Sequence, residues 1–277
     1  MRWLRHPLRV GFRLTAFFAV AAGAIGEHFL VIWPREKGFD YQRRARWSQR
    51  WGRRFLRVLC VEVTVIGEPP ADGLLVANHL GYVDIPVLAA ASPTVFVSKA
   101  EVRDWPVIGW LTRCAGTIYV DRSRKADVVS VNEGLEAVAR QRTLLCIFPE
   151  GTSTGGDRVL PFRPALLEPA VARGWPVSAA WIGYHVPGGS AADEVCYWRD
   201  MVFGPHFLNL LALEKIVAVV AFGPTVPSGD DRKQLALQLH AEVSRLAKRH
   251  GAVANGRAEV ESHAKGVEEA TGDQVEG

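Results

Sequence analysis

The sequence predicts an α/β fold, a mostly parallel sheet flanked by helices, and three observations lead to it. From Val61 onward, short apolar runs bounded by glycine, proline or polar residues alternate with stretches of helical period. Strands alternating with helices imply a largely parallel sheet. At 277 residues and 48% hydrophobic content, the chain can fill one large core and is too apolar for wholesale disorder.

In chain order, Leu14 to Gly26 is uncharged and apolar, flanked by Arg13 and by Glu27-His28. Its thirteen residues fall short of the roughly 20 that span a bilayer as a helix. Extended to Trp33 it is long enough, but then carries Glu27 and His28 inside. A signal peptide competes, yet no clean small-x-small cleavage site is followed by a secreted-style, disulfide-bearing domain. The reading preferred is a re-entrant or interfacial membrane segment.

Tyr41 to Leu59 reads as a helix with Trp47, Trp51, Phe55 and Val58-Leu59 on one face. Arg43, Arg44, Arg46, Arg50, Arg53, Arg54 and Arg57 crowd the rest. A basic helix with tryptophan on its apolar side suits the surface of an anionic membrane. A purely solvated basic face competes. A nucleic-acid partner is set aside, because no recognition motif accompanies the charge. The charge is asymmetric: residues 1–60 hold 13 Lys/Arg against 3 Asp/Glu, net +10, and the remainder 20 against 26, net −6.

Strands are expected at Val61–Ile66, Leu74–Ala77, Thr94–Ser98, Thr117–Val120, Thr143–Phe148, Val177–Gly183 and Val217–Phe222. Val131, Leu135 and Val138 share a face of a helix over Asp127 to Gln141. Leu235, Leu239, Val243 and Leu246 do so over Arg232 to Arg249, where acidic residues precede, basic ones close and Gly251 is the expected stop. Ala254 to Gly277 is polar and acidic, an expected disordered tail. The division expected is 1–59, helical and membrane-docking; 60–251, the α/β domain; and 252–277, the tail. Cys60, Cys114, Cys146 and Cys196 stand singly, without metal-ligand or disulfide spacing.

Two stretches carry chemistry. Leu74 to Ala77 ends in Asn78-His79, and Asp84 follows five residues after the histidine. Asp84 reads as the N-cap, and Pro86 as the first turn, of a helix over Val87 to Ala91. His79 then lies between a strand's carboxyl end and a helix, in the crevice where open α/β sheets bind ligands. An imidazole there with a carboxylate to fix its tautomer has the parts of a general base. The plainer alternative is a satisfied polar pair. The second stretch is Phe148-Pro149-Glu150-Gly151-Thr152, where Pro149 ends a strand and Glu150 either accepts hydrogen bonds from a polyol or is merely solvated in a surface loop. Lys99 and Arg122 both come directly after strand candidates, and two converging cations suit a phosphate, while either taken singly fits better as a strand-end charge paired to a neighbouring carboxylate such as Asp121.

Together these stretches resemble the 1-acylglycerol-3-phosphate O-acyltransferase (lysophospholipid acyltransferase) family. Its four blocks read here as Asn78-His79…Asp84, Gly116 to Arg122, Phe148 to Thr152, and Trp175-Pro176-Val177, within residues 60 to 225. The resemblance implies a glycerolphosphate-acyltransferase-like fold with an N-terminal membrane-docking region on the cytoplasmic face. It implies acyl transfer from acyl-CoA or acyl carrier protein, as co-substrate with no bound cofactor, to the hydroxyl of a lysolipid. His79 and Asp84 would be catalytic. Glu150, Gly151, Thr152, Arg122 and Lys99 would hold the acceptor, and Pro176 and Val177 would line the acyl groove.

One departure bears on the acceptor. The family commonly carries arginine directly after its third block, where this chain has Ser153-Thr154. A lyso-ornithine lipid therefore stands beside lysophosphatidate as a candidate. Two rivals remain. Gly151 to Gly155 fits G-x-S-x-G, with Ser153 as a hydrolase nucleophile, but Gly155-Gly156-Asp157 starts a helix poorly. The other is a non-catalytic membrane adaptor.

Overall fold

The computed structural model describes residues 2–120 and 127–254. All seven expected strands form: β1 (Val61–Ile66), β2 (Gly73–Ala77), β3 (Thr94–Lys99), β4 (Ile118–Val120), β5 (Leu144–Ile147), β6 (Pro176–His185) and β7 (Ile216–Pro227). They make one sheet in the order β1-β7-β6-β2-β5-β3-β4. Every neighbouring pair is parallel except β6 with β7. Thus β1 and β7 run against the other five, a reversal the apolar pattern does not encode.

Successive residues of a strand point to opposite faces, and the sheet packs a core on each. Leu75, Ala77, Cys146 and Ile182 belong to one, with Val87 and Leu88 of α3 (Asp84–Ala91) and Leu210 and Leu211 of α8 (Phe203–Ala212). Leu74, Val76, Leu145 and Val177 belong to the other, with Leu135 and Val138 of α5 (Asp127–Arg140) and Leu239 and Val243 of α9 (Arg232–Ala254). Helix α9 runs past Gly251, which does not take the left-handed conformation of a stop. Beyond Ala254 the tail lies outside the described residues.

The N-terminal region differs from its expectation twice. The apolar stretch belongs to helix α1 (Pro7–Glu27), which continues through a π turn (His28–Ile32) and a 3-10 turn (Trp33–Arg35). The resulting 29 residues are long and apolar enough to cross a membrane, by length and composition. Glu27 accepts from the Arg50 guanidinium and the Trp51 indole N–H of helix α2 (Tyr41–Val58), both at 2.6 Å, so it is not stranded in the apolar run. The second difference is in α2. Its aromatic face is not open: Trp47, Phe55 and Leu56 are buried in the protein. Burying such side chains is worth roughly 2–3 kcal/mol each, more than a surface contact offers. Arg44 is buried too, paired with Glu36 and donating to the Arg113 and Cys114 carbonyls at the end of α4 (Ile108–Cys114).

Helix α1 is held on the body by Arg9 and Arg13, whose guanidinium groups donate to the last carbonyls of α8 and its C-cap, Leu211, Ala212 and Leu213. Cations suit that end of a helix dipole.

Candidate active site

Strand order turns at β2: the chain leaves it for β3 on one side and later returns to β6 on the other. The carboxyl ends of β2 and its neighbour β5 therefore open onto the crevice of a topological switch point. Val76 pairs with Ile147, so continuing the register sets His79 level with Glu150. Sequence reasoning put both residues at strand ends. The register puts them side by side.

The geometry follows from backbone groups that would otherwise be orphaned. Glu150, 3% exposed, accepts the His79 N–H on Oε1 at 2.9 Å and the Leu160 N–H on Oε2 at 3.1 Å. The Thr154 N–H donates to the His79 carbonyl, and the Tyr197 N–H to the Leu80 carbonyl. Both histidine-bearing and glutamate-bearing turns are thus fixed to each other. Burial lifts the Glu150 carboxyl to about pH 7, although the two N–H groups act the other way.

Asp84 is fully buried and does not cap the helix. Val83 occupies the N-cap position, and Asp84 is the first helical residue. Its side chain turns back into the loop, where Oδ2 accepts from the Leu80 N–H (2.7 Å), the Gly81 N–H (3.0 Å) and His79 Nδ1 (2.8 Å). Oδ1 accepts the Tyr184 hydroxyl at 2.7 Å. Four donors on one carboxylate compensate its loss of water. Burial and the Asp84 charge hold the Tyr184 phenol well above its ordinary range, so it stays a donor. Because Asp84 accepts from all sides, the Nδ1 of His79 carries the proton. Nε2 is left with its lone pair, on a side chain 25% exposed and stacked on Phe148 at 4.1 Å between centroids.

The remaining expected residues divide. Gly151, at φ +73°, turns the chain beside Glu150, and Thr152 is exposed next to it. Lys99 is exposed at the carboxyl end of β3, two strands from β2 on the same edge, roughly 10 Å away at ordinary strand spacing. Arg122 lies outside the described residues. Pro176 and Val177 are not brought to this crevice. Val177 pairs with Leu74, five residues before His79 and so roughly 16 Å along the strand. Pro176 lines a separate cavity of about 110 Å³ at the amino edge, with Trp175 and Leu135. The parallel register itself carries that block away from His79. Ser153 does not meet a base: its hydroxyl donates to the Tyr197 carbonyl at 2.6 Å, and among the described residues no imidazole bonds to it.

Two neighbours of the crevice residues had no signal in the sequence. Tyr184 reaches Asp84 across 100 positions. Arg163 lays its guanidinium over Gly151, where an added Cβ would stand 2.8 Å from Nε.

The comparisons match these observations. Residues 62–183, which contain both crevice turns, match the family described as Acyltransferase. A lyso-ornithine lipid O-acyltransferase of Pseudomonas aeruginosa is 39% identical over 209 residues, covering 74% of this chain and 78% of that protein. The chain belongs to the acyltransferase family. A second lyso-ornithine lipid O-acyltransferase, from Rhodobacter capsulatus, is 36% identical over 194 residues, covering 67% of this chain and 70% of its own. A 1-acyl-sn-glycerol-3-phosphate acyltransferase of Neisseria gonorrhoeae is 27% identical over 177 residues, 64% and 69% of the two chains. The fold of this acyltransferase is shared with the crystal structure of the 1-acyl-sn-glycerophosphate acyltransferase PlsC from Thermotoga maritima. That match has a TM-score of 0.63 at 20% identity, over 89% of this chain and 98% of that one.

Proposed function

We propose that this acyltransferase moves an acyl group from acyl-CoA or acyl carrier protein to the free hydroxyl of a lysolipid, with His79 as general base. The observation that supports this reading is the ring's orientation: Nδ1 is bound to Asp84 at 2.8 Å, leaving Nε2 to face a reactant. Nε2 takes the proton of the acceptor hydroxyl as its oxygen attacks the thioester carbonyl. The tetrahedral oxyanion collapses, the C–S bond breaks, and the thiolate recovers the proton from the imidazolium. Asp84 stabilises that transient cation. No acyl-enzyme forms. A base so placed contributes roughly 10²–10⁴-fold, and orientation supplies much of the rest.

A lyso-ornithine lipid is the acceptor favoured, with lysophosphatidate second. Two of the relatives described above carry the first name, and Ser153-Thr154 replaces the arginine that the resemblance would place after Thr152. The enzyme would work in polar-lipid synthesis on the cytoplasmic face of a membrane. Its apolar arm and the exposed Arg46, Arg54 and Arg57 of α2 would meet anionic lipid there.

The test is an acceptor panel of lyso-ornithine lipid, lysophosphatidate and lysophosphatidylcholine with one acyl thioester, following thiol release. Lyso-ornithine lipid is expected to show the highest kcat/KM. Thiol release that depends on none of the three discards the reading.

A further inference from the structure

Resting on the acceptor reading above, we propose that Arg163 is the headgroup-binding cation of this site, recognising an acidic group on the acceptor, either phosphate or carboxylate. Its position is built. The segment before it is pinned at Val159, whose carbonyl accepts from His240 Nε2 at 3.2 Å, and at Leu160, whose N–H donates to Glu150. Phe162 is buried in the second core. The Arg163 N–H donates to the Pro149 carbonyl at 2.9 Å, and its own carbonyl accepts from the Leu166 N–H at 3.1 Å. The backbone of this arginine is thus tied to the turn that holds Glu150, and through Glu150 to His79.

The side chain lies flat on Gly151, and a Cβ there would stand 2.8 Å from Nε and 2.9 Å from Cζ. Only glycine, already needed for φ +73°, admits the guanidinium so close. Yet Arg163 is exposed, and among the described residues no carboxylate or carbonyl accepts from its guanidinium. Three arginines of α2 show the contrast. Arg44 and Arg50 pair with Glu36 and Glu27, and Arg53 donates to the Ala90 carbonyl. A cation whose backbone is tied down, whose donors are unused, and which lies on Gly151, next to the carboxylate that holds the His79 backbone, is prepared for an anion from solution. It approaches Gly151 from ten positions beyond Ser153, and so can supply the positive charge missing there.

Direct titration tests this without turnover, using detergent-dispersed lysophosphatidate, lyso-ornithine lipid and uncharged monoacylglycerol against the full chain. Arg163→Gln keeps most of the stem that packs on Gly151 and removes the charge. It is expected to raise Kd roughly tenfold or more for an acidic acceptor, leave monoacylglycerol within about twofold, and recover most of the loss in Arg163→Lys. Which acidic lipid suffers tells phosphate from carboxylate. Unchanged Kd for both acidic lipids overturns the proposal, as does an equal loss toward monoacylglycerol, or no saturable binding of either acidic lipid by the unaltered protein. Arg163-dependent binding with no acyl transfer would instead sink the acyltransfer reading and leave this one standing.

Discussion

The crevice and the N-terminal arm solve opposite problems. Around His79 every buried polar group finds a partner: Asp84 collects four donors, Glu150 two, and Asn78 exchanges both of its amide hydrogen bonds with the Ile182 backbone. In the arm most of the unmatched groups are apolar and outward, and two are buried and polar. Leu8, Phe12, Leu30 and Trp33 are all more than half exposed, while buried His28 Nδ1 and Trp47 Nε1 have no hydrogen-bond partner. Water would leave so much apolar surface costly. One region is finished by the protein itself, and the other, on the membrane reading proposed above, would be finished by lipid.

The sharpest way to break this contrast is to remove the reactive ring. His79→Ala is expected to lower kcat roughly 10³-fold while the thermal midpoint holds, since the ring is partly exposed and the loop is pinned by backbone bonds. Retained turnover in a folded sample would end the general-base proposal. On the arm, Arg46, Arg54 and Arg57 changed together to Gln should weaken binding to anionic vesicles roughly 100-fold, at about 1 kcal/mol per cation. Sedimentation at 0.15 M and 1 M salt would check this, because screening should erase the difference at high salt. Equal binding at both salts would discard the interfacial role of α2.

A smaller effect comes from Glu150, whose carboxyl rises from 4.5 to about 7 on burial. The folded chain then holds this proton more tightly than the unfolded one. Its stabilising effect is complete below pH 4.5 and is lost as pH rises through 7, by roughly 3 kcal/mol. Urea unfolding at pH 5 and pH 8 should show that loss, and Glu150→Gln should flatten it. The crevice would thus respond to pH and the arm to salt. Ser153→Ala should move activity by less than about twofold, since its hydroxyl only ties two loops together. A hundredfold loss would revive the hydrolase reading.

Much of this was legible because buried strands write themselves as apolar runs. All seven runs are strands, and the turns after β2 and β5 carry the crevice. What stayed hidden depends on paths between elements. Helix α4 has seven residues, too few for a period to show. The reversal of β1 and β7 leaves no mark, because an apolar run reads alike in either direction. Asp84 looked like a cap because caps and loop-bracing aspartates share a residue type and a place. Pro176 and Val177 sit in the expected block, but register fixes which end of β6 they occupy. Arg163 meets Gly151 only because the intervening loop doubles back.

Arg9 and Arg13 fasten α1 to the end of α8, and Tyr82, beside the His79 loop, packs on Phe203 of the same helix at 5.1 Å. The arm and the imidazole loop are therefore linked through α8. With α1 in lipid, the ring would ride at a set height above the acyl chains, as a needle rides on its tonearm. Hydroxyls at that depth would be reached, and those a few ångströms higher or lower would pass untouched.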